Sequence, residues 1–198
     1  TEALDDFGRA IAINPTMSLA YVSRGLTYAV LEQPAEAVAD YSKAIELAPD
    51  LEDAYTARAR ALVKLGRRQR ALADYQQAAA LNPTQGLYLW EQGELHYDLG
   101  QLEEALLCYQ RAIQLEPTVA KFYHSRGLTY YDTQRYREAL ADYNQTLELD
   151  LALVDAYINR GNVYAAQQQY ADAMADHNQA LLRSPDNALA HVNRGNVY

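Results

Sequence analysis

The chain has 198 residues, of which 49% are hydrophobic and 22% charged, the composition of a folded protein and neither a disordered nor a collagenous one. Its 17 basic and 26 acidic residues leave a formal charge of -9, which repels phosphate backbones; with Arg67-Arg68-Gln69-Arg70 as the one basic cluster, no nucleic-acid partner is expected. One cysteine, Cys108, excludes an intrachain disulfide, and no apolar run approaches the roughly 18 residues of a membrane span, so no membrane insertion and a reducing, cytoplasmic setting are expected.

The first residues, Thr1-Glu2-Ala3-Leu4-Asp5-Asp6, carry no initiator Met, basic n-region or apolar h-region, so the chain is expected to start inside a longer protein. Prolines follow at 15, 49, 83, 117 and 185, with Leu151 in the missing place of the series, a period of 34. A repeat of this length decides the domain reading, because each unit buries its apolar face only against its neighbours. The expected organisation is a single array over 1-198. A partial unit holding only a second helix (1-17) precedes five full units at 18-51, 52-85, 86-119, 120-153 and 154-187, and a first helix alone (188-198) closes it.

Within a unit, apolar residues recur three and four apart for about 14 residues, stop, and resume for about 13, which predicts two helices. The breaks hold Pro34, Gly66, Gly100 and Gln167-Gln168-Gln169, all suited to a short turn, with Pro34 tolerated in the first turn of its helix. The unit prolines end the second helix. Counting Ser18 as position 1, small residues at positions 8, 20 and 27 are expected to let helices approach, and tyrosines at 4, 11 and 24 to fill the gaps between hairpins. Twelve of the 17 tyrosines occupy those slots, and Tyr136 and Tyr170 share a turn position. Tyr88, Tyr97 and Tyr131 are left as candidates for recognition.

Arginine recurs at position 7 (Arg24, Arg58, Arg126, Arg160) and aspartate at position 23 (Asp40, Asp74, Asp142, Asp176), while the third unit has Gln92 and Cys108 in their places. Their joint loss within one unit predicts a charge-assisted bridge between the two helices of each hairpin, structural in role.

The recurring Tyr21, Arg24-Gly25, Tyr28, Ala37, Tyr41, Ala44 and Pro49, matched in the fourth unit by Tyr123, Arg126-Gly127, Tyr130, Ala139, Tyr143, Thr146 and Leu151, resemble the tetratricopeptide repeat (TPR) family pattern. Tyrosine stands for the family Trp and Phe, and arginine for the Leu before the glycine. The second and third units drift, with Ala59 in the glycine slot, Leu62 and His96 in the tyrosine slot, and Leu89 beside Trp90. The resemblance implies an all-α fold, a right-handed superhelical solenoid of antiparallel helix hairpins. It also implies that positions 2, 5, 6, 9, 12 and 13 of each first helix line a concave protein-binding groove.

Those positions vary here while the packing positions repeat. Leu19, Val22, Ser23, Leu26 and Val30 make the first section apolar; Asp53, Arg60 and Lys64 follow, then Trp90, Glu91, Glu94, Tyr97 and Asp98. Next come Lys121, His124, Ser125, Leu128, Tyr131 and Asp132, then Asp155, Ile158, Asn159 and Asn162, and finally Val192, Asn193 and Asn196. Trp90 and Tyr131 are the first candidates for anchors, because aromatic side chains dominate binding energy; the other reading of Trp90 is a space-filler beside Leu89. Asn159, Asn162, Asn193 and Asn196 either grip the backbone of an extended peptide, as asparagines do in TPR grooves, or form a solvated polar face. Glu91, Glu94 and Asp98 make an acidic strip fit for a cation or a basic peptide, unless Arg60 and Lys64 neutralise it. Lys121 beside His124 does not reproduce the carboxylate clamp of TPR proteins that bind chaperone tails, so no such binding is expected.

His96, His177 and His191 occupy tyrosine slots and read as packing residues, which leaves His124 alone in the groove. No histidine or cysteine pair has metal-ligand spacing, and no phosphate loop or nucleophile set is present, so neither metal, cofactor nor catalysis is expected. Uncapped apolar residues at the last helix, Leu189, Val192, Val197 and Tyr198, raise end-to-end self-association as a further possibility. The expected function is a scaffold binding a protein or peptide segment. The alternatives are a regulatory or substrate-selecting arm of a larger enzyme, or an assembly element acting through its ends.

Overall fold

The computed structural model describes residues 2–197, so Tyr198 lies outside the described residues. Among these there are twelve α-helices and no strand: α1 (Glu2–Ile13), α2 (Ser18–Val30), α3 (Pro34–Leu47), α4 (Glu52–Lys64), α5 (Arg68–Leu81), α6 (Gly86–Asp98), α7 (Leu102–Leu115), α8 (Ala120–Asp132), α9 (Tyr136–Leu149), α10 (Val154–Ala166), α11 (Tyr170–Arg183) and α12 (Ala188–Val197). They divide into two compact units, Thr1–Leu95 and His96–Tyr198, with the division inside α6. In the first unit α2 pairs with α3 and α4 with α5; in the second α8 pairs with α9 and α10 with α11.

Each pairing follows from a three-residue turn. The residue in its middle adopts a left-handed backbone: φ is 71° at Gly66 and 73° at Gly100, and 56°, 59° and 61° at Glu32, Gln134 and Gln168. The next residue donates its N–H five residues back, as from Arg67 to the Leu62 carbonyl (2.8 Å) and Gln169 to Tyr164 (2.8 Å). The left-handed residue itself donates three back, as Gly66 does to Val63 (2.9 Å). This Schellman arrangement satisfies the last carbonyls of the first helix and reverses the chain. Only two of the five turns use glycine, so three accept the strain of a side chain with positive φ. The second helix starts at once: Pro34 is its first residue, and so are Tyr136 and Tyr170, which the sequence pattern had assigned to the turn.

The Arg–Asp bridges form inside their hairpins. Arg24–Asp40, Arg58–Asp74, Arg126–Asp142 and Arg160–Asp176 are each bidentate, with Nε and Nη2 at 2.7–2.8 Å from the two carboxylate oxygens. Each guanidinium also lies over the position-4 tyrosine of its own helix, 5.8 Å from the Tyr21, Tyr123 and Tyr157 centroids. Where the pair is absent, the Gln92 amide donates to the Tyr75 carbonyl (3.3 Å) instead.

The position-24 tyrosines depart from the expected role. A Cβ built on Gly25 would lie 2.7 Å from Tyr41 Cε1, and one on Gly127 would lie 3.0 Å from Tyr143 Cε1. The ring therefore seats on the glycine of its own hairpin and is not confined to the gap between hairpins. Tyr41, Tyr75 and Tyr143 are at most 1% exposed. The position-4 residues do join successive repeats: Tyr21 donates to the Pro15 carbonyl (3.3 Å), Tyr123 to Pro117 (3.1 Å), and His191 Nε2 reaches Pro185 (2.8 Å). At Leu151, where proline is missing, Arg183 Nε donates to the leucine carbonyl (2.8 Å) and its guanidinium stacks 4.3 Å from the Tyr157 centroid.

Candidate functional site

With the glycine-facing and bridge-forming sides of each first helix turned inward, the residues between them meet the neighbouring first helix or water. In the second unit they form a chain of contacts from repeat to repeat. Tyr97 donates its hydroxyl to Asp132. His124 Nε2 and the Asn159 amide lie 3.1 Å apart, and His124 also packs its ring 5.8 Å from the Tyr143 centroid. The Asn193 amide donates to Asn162 Oδ1 (2.9 Å). His124 thus sits within a paired network, where the sequence had left it alone, and the asparagines are partly engaged with one another.

Tyr131, Asn162, Asn193 and Asn196, with Ala165 and His177, line a cleft of about 320 Å³. Tyr131 is partly buried and tilts against Tyr136, with centroids 5.9 Å apart, which fixes its ring beside the opening. Leu128 is partly buried on the same helix, and Lys121 is exposed with its ammonium 5.8 Å from the Phe122 centroid. Ile158 and Ser125 do not belong to the open surface: they are 1% and 9% exposed. Their positions lie close enough to the buried edge of the helix that a small rotation turns them inward.

His177 forms part of the cleft floor. It replaces the position-24 tyrosine, its Cε1 would lie 2.7 Å from a Cβ on Gly161, and its buried Nδ1 has no hydrogen-bond partner among the described residues. Burial lowers its pKa from the ordinary 6.5, Asp176 opposes that shift, and Arg194 adds to it. The folded imidazole is therefore neutral where the unfolded one takes up a proton. Stability is expected to fall as pH drops below about 6.5, by at most about 1.4 kcal/mol per pH unit. Urea midpoints at neutral and mildly acidic pH test this: His177→Phe should flatten the dependence, and an unchanged slope would show that other groups set it.

In the first unit the surface differs. Leu19, Leu26 and Val30 on α2 are 63%, 50% and 82% exposed, with Val22 partly buried beside them. Arg60 reaches Glu91 at 3.6 Å, so one member of the acidic strip is paired as expected, while Lys64 stands exposed. Trp90 and Glu94 are partly buried on α6. Tyr88 is no recognition residue: it is 7% exposed and donates to Glu52 Oε1 (2.9 Å), and burial with that carboxylate raises its pKa to about 12. Burial also raises the Cys108 thiol, leaving it protonated. Among the described residues no group of three His, Cys, Asp or Glu side chains is arranged to hold a metal ion, and no helix is long and apolar enough to cross a membrane.

Family models described as tetratricopeptide repeat match residues 18–51 and 52–85, and one described as TPR repeat matches 93–134, 127–168 and 161–198. The chain belongs to the tetratricopeptide repeat family. No curated protein matches the sequence of this TPR chain. Its fold is shared by YrrB, described as a TPR protein with an unusual peptide-binding site, at 24% identity and TM-score 0.77 over 96% of this chain and 97% of that one. It is also similar to MamA from Desulfovibrio magneticus RS-1 (16% identity, TM-score 0.79, covering 86% and 97%) and to pilF of Pseudomonas aeruginosa (20%, 0.76, covering 91% and 88%). At these identities the likeness is one of fold, the all-α helical repeat, and a general role as a protein-interaction scaffold goes with the family.

Proposed function

We propose that this TPR chain holds an extended segment of a partner protein against its first helices, with Tyr131, Asn162, Asn193 and Asn196 as the principal contacts of the second unit. The observation that carries this reading is the cleft of about 320 Å³ into which those side chains converge from three successive first helices. The asparagine amides can both donate and accept, so they suit a peptide backbone whatever its side chains. Tyr131, held by Tyr136, offers a pre-set aromatic face that loses little entropy on binding. YrrB, a neighbour in fold, is described as having a peptide-binding site, which supports a peptide ligand in general and assigns no residue of this chain. Tyr97, Lys121, His124, Leu128 and Asn159 extend the same reading within the second unit, and Trp90, Glu91 and Glu94 are read separately as contacts of the first.

The test compares partners captured by the parent chain with those captured by a folded Trp90→Ala/Tyr131→Ala/Asn162→Ala variant. Recovery of the groove-bound partners is expected to fall about tenfold or more, the loss of at least about 1.4 kcal/mol. Equal recovery by both chains would move recognition away from the first helices, to the ends or the opposite face.

A further inference from the structure

The first unit carries a second, chemically distinct recess. Leu26 and Ala29 of α2, Tyr41 of α3, and Ala57, Arg60 and Lys64 of α4 surround a pocket of about 120 Å³. Its walls are mostly apolar, Leu26 and Ala29 of α2, Pro34 and Tyr41 of α3 and the small Ala57 and Ala61 of α4, and the alanines leave the gap open. Its rim is cationic. Arg60 and Lys64 are one helical turn apart, hence on one face of α4, and Arg60 is 59% exposed on its side chain despite Glu91 at 3.6 Å. Lys64 stands outside that ion pair. The exposed Leu19 and Val30 share the face of α2 that carries Leu26, at spacings of seven and four, so the recess opens from an apolar strip.

We propose that this pocket takes one aliphatic side chain of a partner segment held by the first unit, with an acidic residue immediately beside it on that segment facing Arg60 and Lys64. The size argues for a single side chain, since a dry cavity of roughly 150 Å³ admits a benzene molecule and this one is somewhat smaller. The charge argues for the acidic neighbour: in a chain of net charge -9, two adjacent cations over an apolar opening repel basic segments and attract carboxylates. The inference rests on the reading above that the first helices form the recognition face. It adds what the first unit selects, where the asparagines of the second unit are indifferent to sequence.

The test is a titration of the isotope-labelled chain, followed by amide chemical shifts, with three blocked peptides: Ala-Gly-Leu-Glu-Glu-Ala, Ala-Gly-Leu-Lys-Lys-Ala and Ala-Gly-Ala-Glu-Glu-Ala. The acidic leucine peptide is expected to shift amides around Leu26, Ala57 and Lys64, with the other two binding at least about fivefold more weakly. Lys64→Glu, an exposed substitution, should reverse the preference between the acidic and basic leucine peptides, and Ala57→Leu should abolish the shifts by filling the recess. Equal shifts from all three peptides, an unchanged preference in Lys64→Glu, or an absence of shifts around the pocket would each overturn the proposal. Shifts confined to Tyr131 and Asn162 would overturn it while leaving the broader function standing, which the capture comparison judges independently.

Discussion

An Asp142→Asn chain is expected to unfold with about 3 kcal/mol less stability than the parent, between the negligible worth of a surface pair and the cost of breaking a fully buried one. Asp142 is 4% exposed, and burial pushes its carboxyl above the usual range even with Arg126 upon it, a sign that water scarcely reaches it. Arg126 keeps 18% of its side chain exposed and lies over the Tyr123 and Tyr130 rings. The amide keeps one acceptor but places an NH2 against the guanidinium, so one of two hydrogen bonds becomes a repulsive donor-to-donor contact. The third repeat shows the remedy, having lost both partners together. Arg126→Gln/Asp142→Cys should therefore cost less than the sum of its single substitutions, and urea unfolding of the four chains measures that coupling. A single Asp142→Asn within about 0.5 kcal/mol of the parent would show that the bridge is incidental to stability.

Gly127→Leu is expected to lower stability by about 2 kcal/mol, and Gly127→Ala to leave it nearly unchanged. The first carbon beyond the backbone at this site already meets Tyr143 Cε1 at 3.0 Å, Cδ1 at 3.2 Å and Asp142 Cβ at 3.3 Å. Tyr143 is wholly buried, so close packing leaves its ring little room to withdraw, and its hydroxyl has no hydrogen-bond partner among the described residues. A methyl needs only a few tenths of an ångström, and the second repeat tolerates it: Ala59 occupies the same slot at 0% exposure opposite Tyr75. Its helix propensity, about 1 kcal/mol better than glycine, offsets the contact. Gly195 supplies the control, because a Cβ there meets nothing within 4 Å. Gly195→Leu should be tolerated, and thermal melts that found it as damaging as Gly127→Leu would trace the loss to leucine itself and not to the hairpin crossing.

The repeat, the two helices of each unit and the Arg–Asp pairing were all legible in the sequence, because a residue that recurs every 34 positions and disappears together with its partner reports a contact directly. His191 was legible for the same reason, standing in a tyrosine slot and making the tyrosine's bond to a proline carbonyl. Direction was not legible. Periodicity assigns Tyr41 and Tyr143 to an apolar face, but the choice between the glycine of the same hairpin and the space between hairpins depends on χ1 and on how closely the helices approach. Tyr88 looked unassigned because its partner, Glu52, lies 36 residues away and repeats nowhere else. The contacts His124–Asn159 and Asn162–Asn193 escaped similarly: each joins different positions of successive repeats, so recurrence of the asparagines does not reveal which side chains meet. Pro34, Gly66, Gly100 and Gln167-Gln168-Gln169 marked turns, but the left-handed backbone at Glu32, Gln134 and Gln168 was not legible from residue type, since the Schellman bonds outweigh the side-chain strain.

Each Arg–Asp bridge closes over sixteen residues, well inside one 34-residue repeat. A recombination event that duplicates or deletes a whole repeat therefore carries both members of the pair, and the array can lengthen or shorten without stranding an interior charge. The Arg183 contact with the Leu151 carbonyl spans 32 residues and crosses a repeat boundary, so excising the fifth repeat would leave that carbonyl bare. Copy number is in this sense an inherited freedom of the clamp, and the leucine at 151 marks one junction where that freedom has been given up.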